Sequence, residues 1–163
     1  MTASTHSPRV VVGFDGSGPS RAAVRLAAAR TGDSKLFIVH AYDAPPDFWG
    51  SEHYEELLER ALHRGRSILS GIAGDTDLSL ADVDYEVELI AGRPAEVLAR
   101  VAETRRADEI VVGTRGFGKV RAVLGSVAHE LLHEAPCPVT AIPARALDPS
   151  LDGDLMDRES VAG

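Results

Sequence analysis

Hydrophobic positions along this chain follow two rhythms. Short, nearly continuous apolar runs at Arg9-Val-Val-Val-Gly-Phe14, Leu36-Phe-Ile-Val-His40, Ile110-Val-Val112 and Val139 to Ile142 read as strands buried on both faces. Val83 to Ile90 alternates apolar and charged residues instead, as a strand near a sheet edge would. Helical spacing marks the segments between. An alanine-rich stretch runs to about Arg30, introduced by a turn and N-cap at Asp15-Gly-Ser-Gly-Pro-Ser20. In a longer one, Tyr54, Leu57, Leu58, Ala61, Leu62, Ile68, Leu69 and Ile72 recur on one face. A third follows the turn Gly92-Arg93-Pro94 and carries Val97, Leu98 and Val101, with Pro94 suited to its first turn. Ser126 to Ala135 is the last, stopped by Pro136, and Pro143 ends the final strand.

Short strands alternating with helices imply a parallel sheet with helices on both faces, because each right-handed crossover must cover a face. In such sheets ligands bind outside the carboxyl ends of the strands, where strand order reverses. The ends of the first and fourth strands carry Gly13, Phe14, Asp15 and Gly113 to Gly116, which locates the switch point between them. The stretch from Gly113 to Ser126 follows an apolar strand and opens a helix. Glycines there let the backbone come close to an anion, and the helix start directs N–H groups and the positive dipole end at it.

Composition narrows the setting. With 163 residues, 44% of them hydrophobic, the chain can bury one substantial core, and no second set of apolar segments remains for another domain. Residues 9–143 form the expected domain, after a flexible segment 1–8. From Ala144 the chain is acidic and aperiodic and is expected to be disordered. Within residues 148–163, Asp148, Asp152, Asp154, Asp157 and Glu159 against Arg158 alone carry half of the formal charge of −8, which argues against a nucleic-acid partner. Met1 to Arg9 has no apolar leader core and no apolar run approaches a membrane span, so no membrane association is expected. The single Cys137, between Pro136 and Pro138, excludes an internal disulfide and points to a reducing, cytoplasmic location.

Two motifs compete with this reading and fail on chemistry. Gly113-Thr-Arg-Gly-Phe-Gly118-Lys119 approaches a P-loop, but Val120 stands where the magnesium-binding hydroxyl belongs. His129-Glu130-Leu-Leu-His133 has zincin spacing, yet Val127, Ala128, Leu131, Leu132 and Ala135 form the apolar stripe of that helix, so both histidines face solvent. Asp15 reads as a turn cap or ribose acceptor before a general base, and His40 as a hydrogen-bonded structural histidine. Phe48 and Trp49, in the loop Ala41 to Ser51, suit a flap over a base, a partner contact or packing at the domain edge.

From Arg9 to Pro143 the chain resembles the universal stress proteins. The resemblance rests on Val-Val-Gly-Phe-Asp-Gly-Ser at its opening, Val-His-Ala at the end of the second strand and the segment Gly-Arg-Pro-Ala-Glu-Val-Leu that leads into the third helix. It continues through Val-Val-Gly-Thr-Arg-Gly, Gly-Ser-Val and Pro-Cys-Pro-Val. It implies a single doubly wound α/β domain, with a five-stranded parallel sheet of order 3-2-1-4-5 and four helices, dimerising through the last strand, Val139–Ile142. In one branch it also implies ATP, here taken with Mg²⁺, bound by Gly-x-x-Gly, a nine-residue spacer and Gly-Ser/Thr. By this resemblance Gly113, Gly116, Gly125 and Ser126 hold phosphates, with Val112, Arg115, Gly118 and Val127 beside them. Asp15, Gly13 and Phe14 line the ribose and adenine region, and Ala41 touches the base. The chain departs from the pattern once: Phe117 to Leu124 is eight residues, which shortens the loop's maximum reach by roughly 3.5 Å.

The leading expectation is therefore an ATP-binding regulatory stress protein whose occupancy orders residues 114–124, with little or no turnover. A dimeric scaffold that binds no nucleotide, and a slow ATPase or transferase, are the alternatives. No nucleophile with an adjacent base is visible to favour the last.

Overall fold

The computed structural model describes residues 7–30, 33–46, 53–73, 80, 82–114 and 124–143. In chain order the elements are β1 Arg9–Gly13, α1 Gly18–Arg30, β2 Lys35–Tyr42, α2 Tyr54–Ala73 and β3 Asp84–Ala91. These are followed by α3 Pro94–Arg105, β4 Glu109–Gly113, α4 Ser126–Glu134 and β5 Val139–Ile142. All strand pairs are parallel, and the sheet order is β3-β2-β1-β4-β5, as expected.

Strand periodicity divides the core into two. Val10, Val12, Leu36 and Ile38 point to one face, where Ala22, Ala23, Val24 and Ala27 of α1 and Ile72 of α2 cover them. Val11, Phe37, Val39, Ile110 and Val112 point to the other and meet Val97, Leu98 and Val101 of α3 and Ala128 and Leu131 of α4. The small side chains of α1 bring its backbone close to the sheet. A Cβ built on Gly113 would lie 2.3 Å from the carbonyl carbon of Pro19, so glycine at the end of β4 is a packing requirement of its own.

Because α1 and α2 lie on one face and α3 and α4 on the other, the chain leaves β1 and β4 in opposite directions. The carboxyl ends of these neighbouring strands therefore splay apart, and the strand-order reversal falls between them.

The structure corrects two positions of the helical stripes. Leu57 is 47% and Leu132 62% exposed, because each lies at the margin of its apolar arc and turns past the sheet. The third strand runs one residue later than its alternation suggested, Asp84–Ala91, and the last helix stops at Glu134 because Ala135, before Pro136, is extended. Cys137 is half-buried, and burial, reinforced by Asp108 and Glu109, pushes its thiol up. Among the described residues no helix is long and apolar enough to cross a membrane.

Candidate functional site

A cavity of about 390 Å³ opens at the splayed ends of β1 and β4. This is within the usual range for small-molecule sites. The end of β1 contributes Gly13, Phe14 and Asp15, and β2 contributes Val39, His40 and Ala41. Val112 and Gly113 close its floor, Leu98 packs from α3, and Gly125, Ser126, Val127 and Ala128 bring in the start of α4. Nine of the twelve residues named from the sequence thus share one cavity: Gly13, Phe14, Asp15, Ala41, Val112, Gly113, Gly125, Ser126 and Val127. Arg115, Gly116 and Gly118 lie outside the described residues, as do Phe48, Trp49, Lys119, Val120, the acidic tail and all but the ends of segment 114–124.

Three helices start at this cavity. Ser17 and Ser20 belong to the start of α1, Arg93 and Pro94 to that of α3, and Gly125 to Ala128 to that of α4. Each start carries partial positive charge. The turn into α1 satisfies its own polar groups. Asp15 Oδ1 accepts the Ser17 N–H at 2.9 Å, Ser17 Oγ accepts the Ser20 N–H at 3.3 Å, and Ser20 Oγ donates to the Ser17 carbonyl at 3.0 Å. Gly16, at φ +79°, supplies the left-handed residue this turn requires.

The start of α4 is built differently. Gly125 occupies the N-cap position with ordinary extended angles, φ −62° and ψ 156°, and among the described residues no side chain caps the helix. Its carbonyl accepts the first helical bond, from the His129 N–H at 2.9 Å. The N–H groups of Ser126, Val127 and Ala128 precede that bond, have no intrahelical acceptor, and belong to residues lining the cavity.

The base of the cavity is rigidly held. Phe14 N–H donates to the Val39 carbonyl at 2.9 Å, and His40 Nδ1 donates to the Phe14 carbonyl at 2.7 Å. A carbonyl only accepts, so that ring nitrogen carries the proton. Buried Thr114 is fixed by its N–H to the Ile142 carbonyl at 2.8 Å, which anchors the exit from β4 to the end of β5.

Charge enters from residues that the sequence marked only as a turn and as part of a zinc-like motif. Arg93 and Glu130 both line the cavity and form an ion pair, Nη2 to Oε2, of 2.9 Å. Arg93 also holds Glu96 Oε1 at 2.8 Å. His129 and His133 are exposed, with ring centroids 5.3 Å apart. Among the described residues no three His, Cys, Asp or Glu side chains converge as metal ligands.

Comparison with known proteins agrees with this geometry. The profile of the Universal stress protein family matches residues 7–143. The chain is 37% identical to a universal stress protein of Thermus aquaticus over 136 residues, 82% of this chain and 96% of that protein. A solved universal stress protein in complex with cAMP is 26% identical, covers 86% of this chain and 99% of its own, and superposes with a TM-score of 0.52. One from Arabidopsis thaliana with AMP bound shares the fold, with a TM-score of 0.61 over 88% of this chain and 98% of that one, at 21% identity.

Proposed function

The chain belongs to the universal stress protein family, and we propose that it is a regulatory nucleotide-binding protein that takes ATP into the cavity between β1 and β4. One observation carries this reading: the uncapped start of α4 presents three successive N–H groups in a cavity of ligand size where two other helices also begin. That arrangement favours an anion beside Ser126. The apolar floor at Val39, Ala41 and Val112 suits a base, and Asp15 suits a ribose hydroxyl. The cAMP held by the relative at 26% identity supports an adenine nucleotide. The assignment to phosphates extends to Arg115, Gly116 and Gly118, and occupancy is the signal that reorganises residues 114–124.

Mg²⁺ would reach the protein mainly through the phosphates and water, with Asp15 the strand-end acid nearby. Asp15 already receives the Ser17 N–H, which suits positioning better than proton transfer. Hydrolysis is accordingly expected far below the roughly 1 to 100 per second of kinases. The open edge of β5, where Val139, Thr140 and Ala141 are half-buried, supports a homodimer paired across that strand, and a monomer mass by light scattering at micromolar concentration would refute it.

Calorimetric titration of ATP into the wild type and into Gly125→Val/Ser126→Ala tests the site. The angles of Gly125 are open to any residue, so the sheet stays folded while affinity falls about 10- to 100-fold. Unchanged affinity would remove the phosphate cradle from α4. A wild type that takes up no adenine nucleotide would favour the competing reading suggested by the eight-residue spacer, a dimeric scaffold without ligand.

A further inference from the structure

The charged side chains lining the described cavity are Asp15, Glu130 and Arg93, so its acids outnumber its one guanidinium. That guanidinium is held between Glu130 of α4 and Glu96 of α3, at 2.9 and 2.8 Å. The Arg93–Glu130 pair joins the start of α3 to the first turns of α4, and both residues line the cavity together with Ser126, Val127 and Ala128. At 61% and 36% side-chain exposure the pair is solvated and weak, and its partners exchange readily. A phosphate group offers the same planar fork a stronger, charge-assisted and bidentate acceptor.

We propose that Arg93 and Glu130 set how many phosphates the cavity accepts. This rests on the adenine-nucleotide reading above and gives that site its selectivity. As a nucleotide enters, Arg93 leaves Glu130 for the phosphate chain, and the released carboxylate then opposes further negative charge. Arg93 is thus the residue that binds the chain, and Glu130 the residue that limits it. Each added phosphate strengthens both effects, whereas adenosine engages neither.

The test is a calorimetric titration of adenosine, AMP and ATP into the full chain and its Arg93→Ala, Arg93→Lys and Glu130→Gln variants, each first checked for an unchanged melting transition. Arg93→Ala should weaken ATP about tenfold or more, AMP less and adenosine not at all. Arg93→Lys, which keeps the charge without the fork, should recover part of the ATP affinity. Glu130→Gln should act with the opposite sign, tightening ATP more than AMP, and the effect should shrink in high salt. Losses equal for adenosine and ATP would make Arg93 a structural residue and overturn the proposal. So would a Glu130→Gln protein that binds ATP more weakly than wild type. If the wild type binds adenosine and AMP while the variants leave the ATP to AMP ratio unmoved, selectivity lies elsewhere and the nucleotide reading stands. Failure of all three ligands to bind the wild type would remove both.

Discussion

The starts of α1 and α4, the helices that follow the neighbouring strands β1 and β4, both line the cavity, yet their backbone donors are treated in opposite ways. Leaving β1, Asp15, Ser17 and Ser20 bond to one another's backbone, and the first turn of α1 is capped from within. At the start of α4 a glycine stands at the cap, and among the described residues no side chain takes up the N–H groups. A helix start with its own cap is a structural joint. One left with a glycine at the cap beside a cavity keeps its donors for something else, at a cost in helix stability of about a few tenths of a kcal/mol. The contrast separates the two roles a glycine or serine performs in a nucleotide-binding fold, which spacing alone does not.

The largest expected effect concerns the joint. Gly113→Ala sets a Cβ against the backbone of Pro19 and Ser20, atoms that the sheet and α1 hold in place. Overpacking there should cost about 3 kcal/mol in denaturant unfolding. A loss below a few tenths would mean that α1 shifts freely over β4.

Gly125→Asp sharpens the contrast, because it gives α4 the kind of cap that α1 has. Stability should rise by a few tenths of a kcal/mol, while ATP binding falls at least tenfold as the carboxylate occupies the N–H groups and repels phosphate. Melting and calorimetry on one preparation would record the two opposite signs. A gain in both would contradict the account. On the α1 side, Ser17→Ala should lower stability by about 1 kcal/mol, and Ser17→Gly by much less.

The smallest effect lies away from both turns. Lys35 Nζ meets Glu86 Oε1 at 2.6 Å on the surface of the β2–β3 edge. The hydrogen bond to Glu86 raises the Lys35 ammonium above its ordinary range, and the same bond lowers the Glu86 carboxyl. The carboxylate's contribution is complete above about pH 4.3 and is lost as pH falls through its lowered value. The ammonium's is complete below about pH 10.4 and is lost as pH rises through its raised value. Thermal melts should therefore separate Lys35→Met from wild type only between those limits, and less in 1 M salt. A difference that persists at pH 2 would need another origin.

The strands and the location of the cavity were legible because buried parallel strands write themselves as continuous apolar runs, and because glycines and Asp15 cluster where two of these end. Resemblance supplied the order, and periodicity the elements. Arg93 and Glu130 were not legible as cavity residues. They are far apart in the chain, and only the crossover through β4 brings α3 and α4 side by side. Each also had a sufficient local explanation, Arg93 as the residue before Pro94 and Glu130 as a letter of a histidine motif. The exposure of Leu57 and Leu132 escaped for a related reason: helical spacing fixes an arc, while the width of that arc covered depends on the neighbouring layer.

The central claim is that the uncapped start of α4 is where the nucleotide's phosphates are held, and amide chemical-shift mapping during an ATP titration tests it directly. The N–H resonances of Ser126, Val127 and Ala128 should move and saturate together, while those of Ser17 and Ser20, already bonded within their turn, stay nearly in place. Saturable shifts confined to other parts of the chain, or α4 amides unmoved at millimolar ATP, would contradict it.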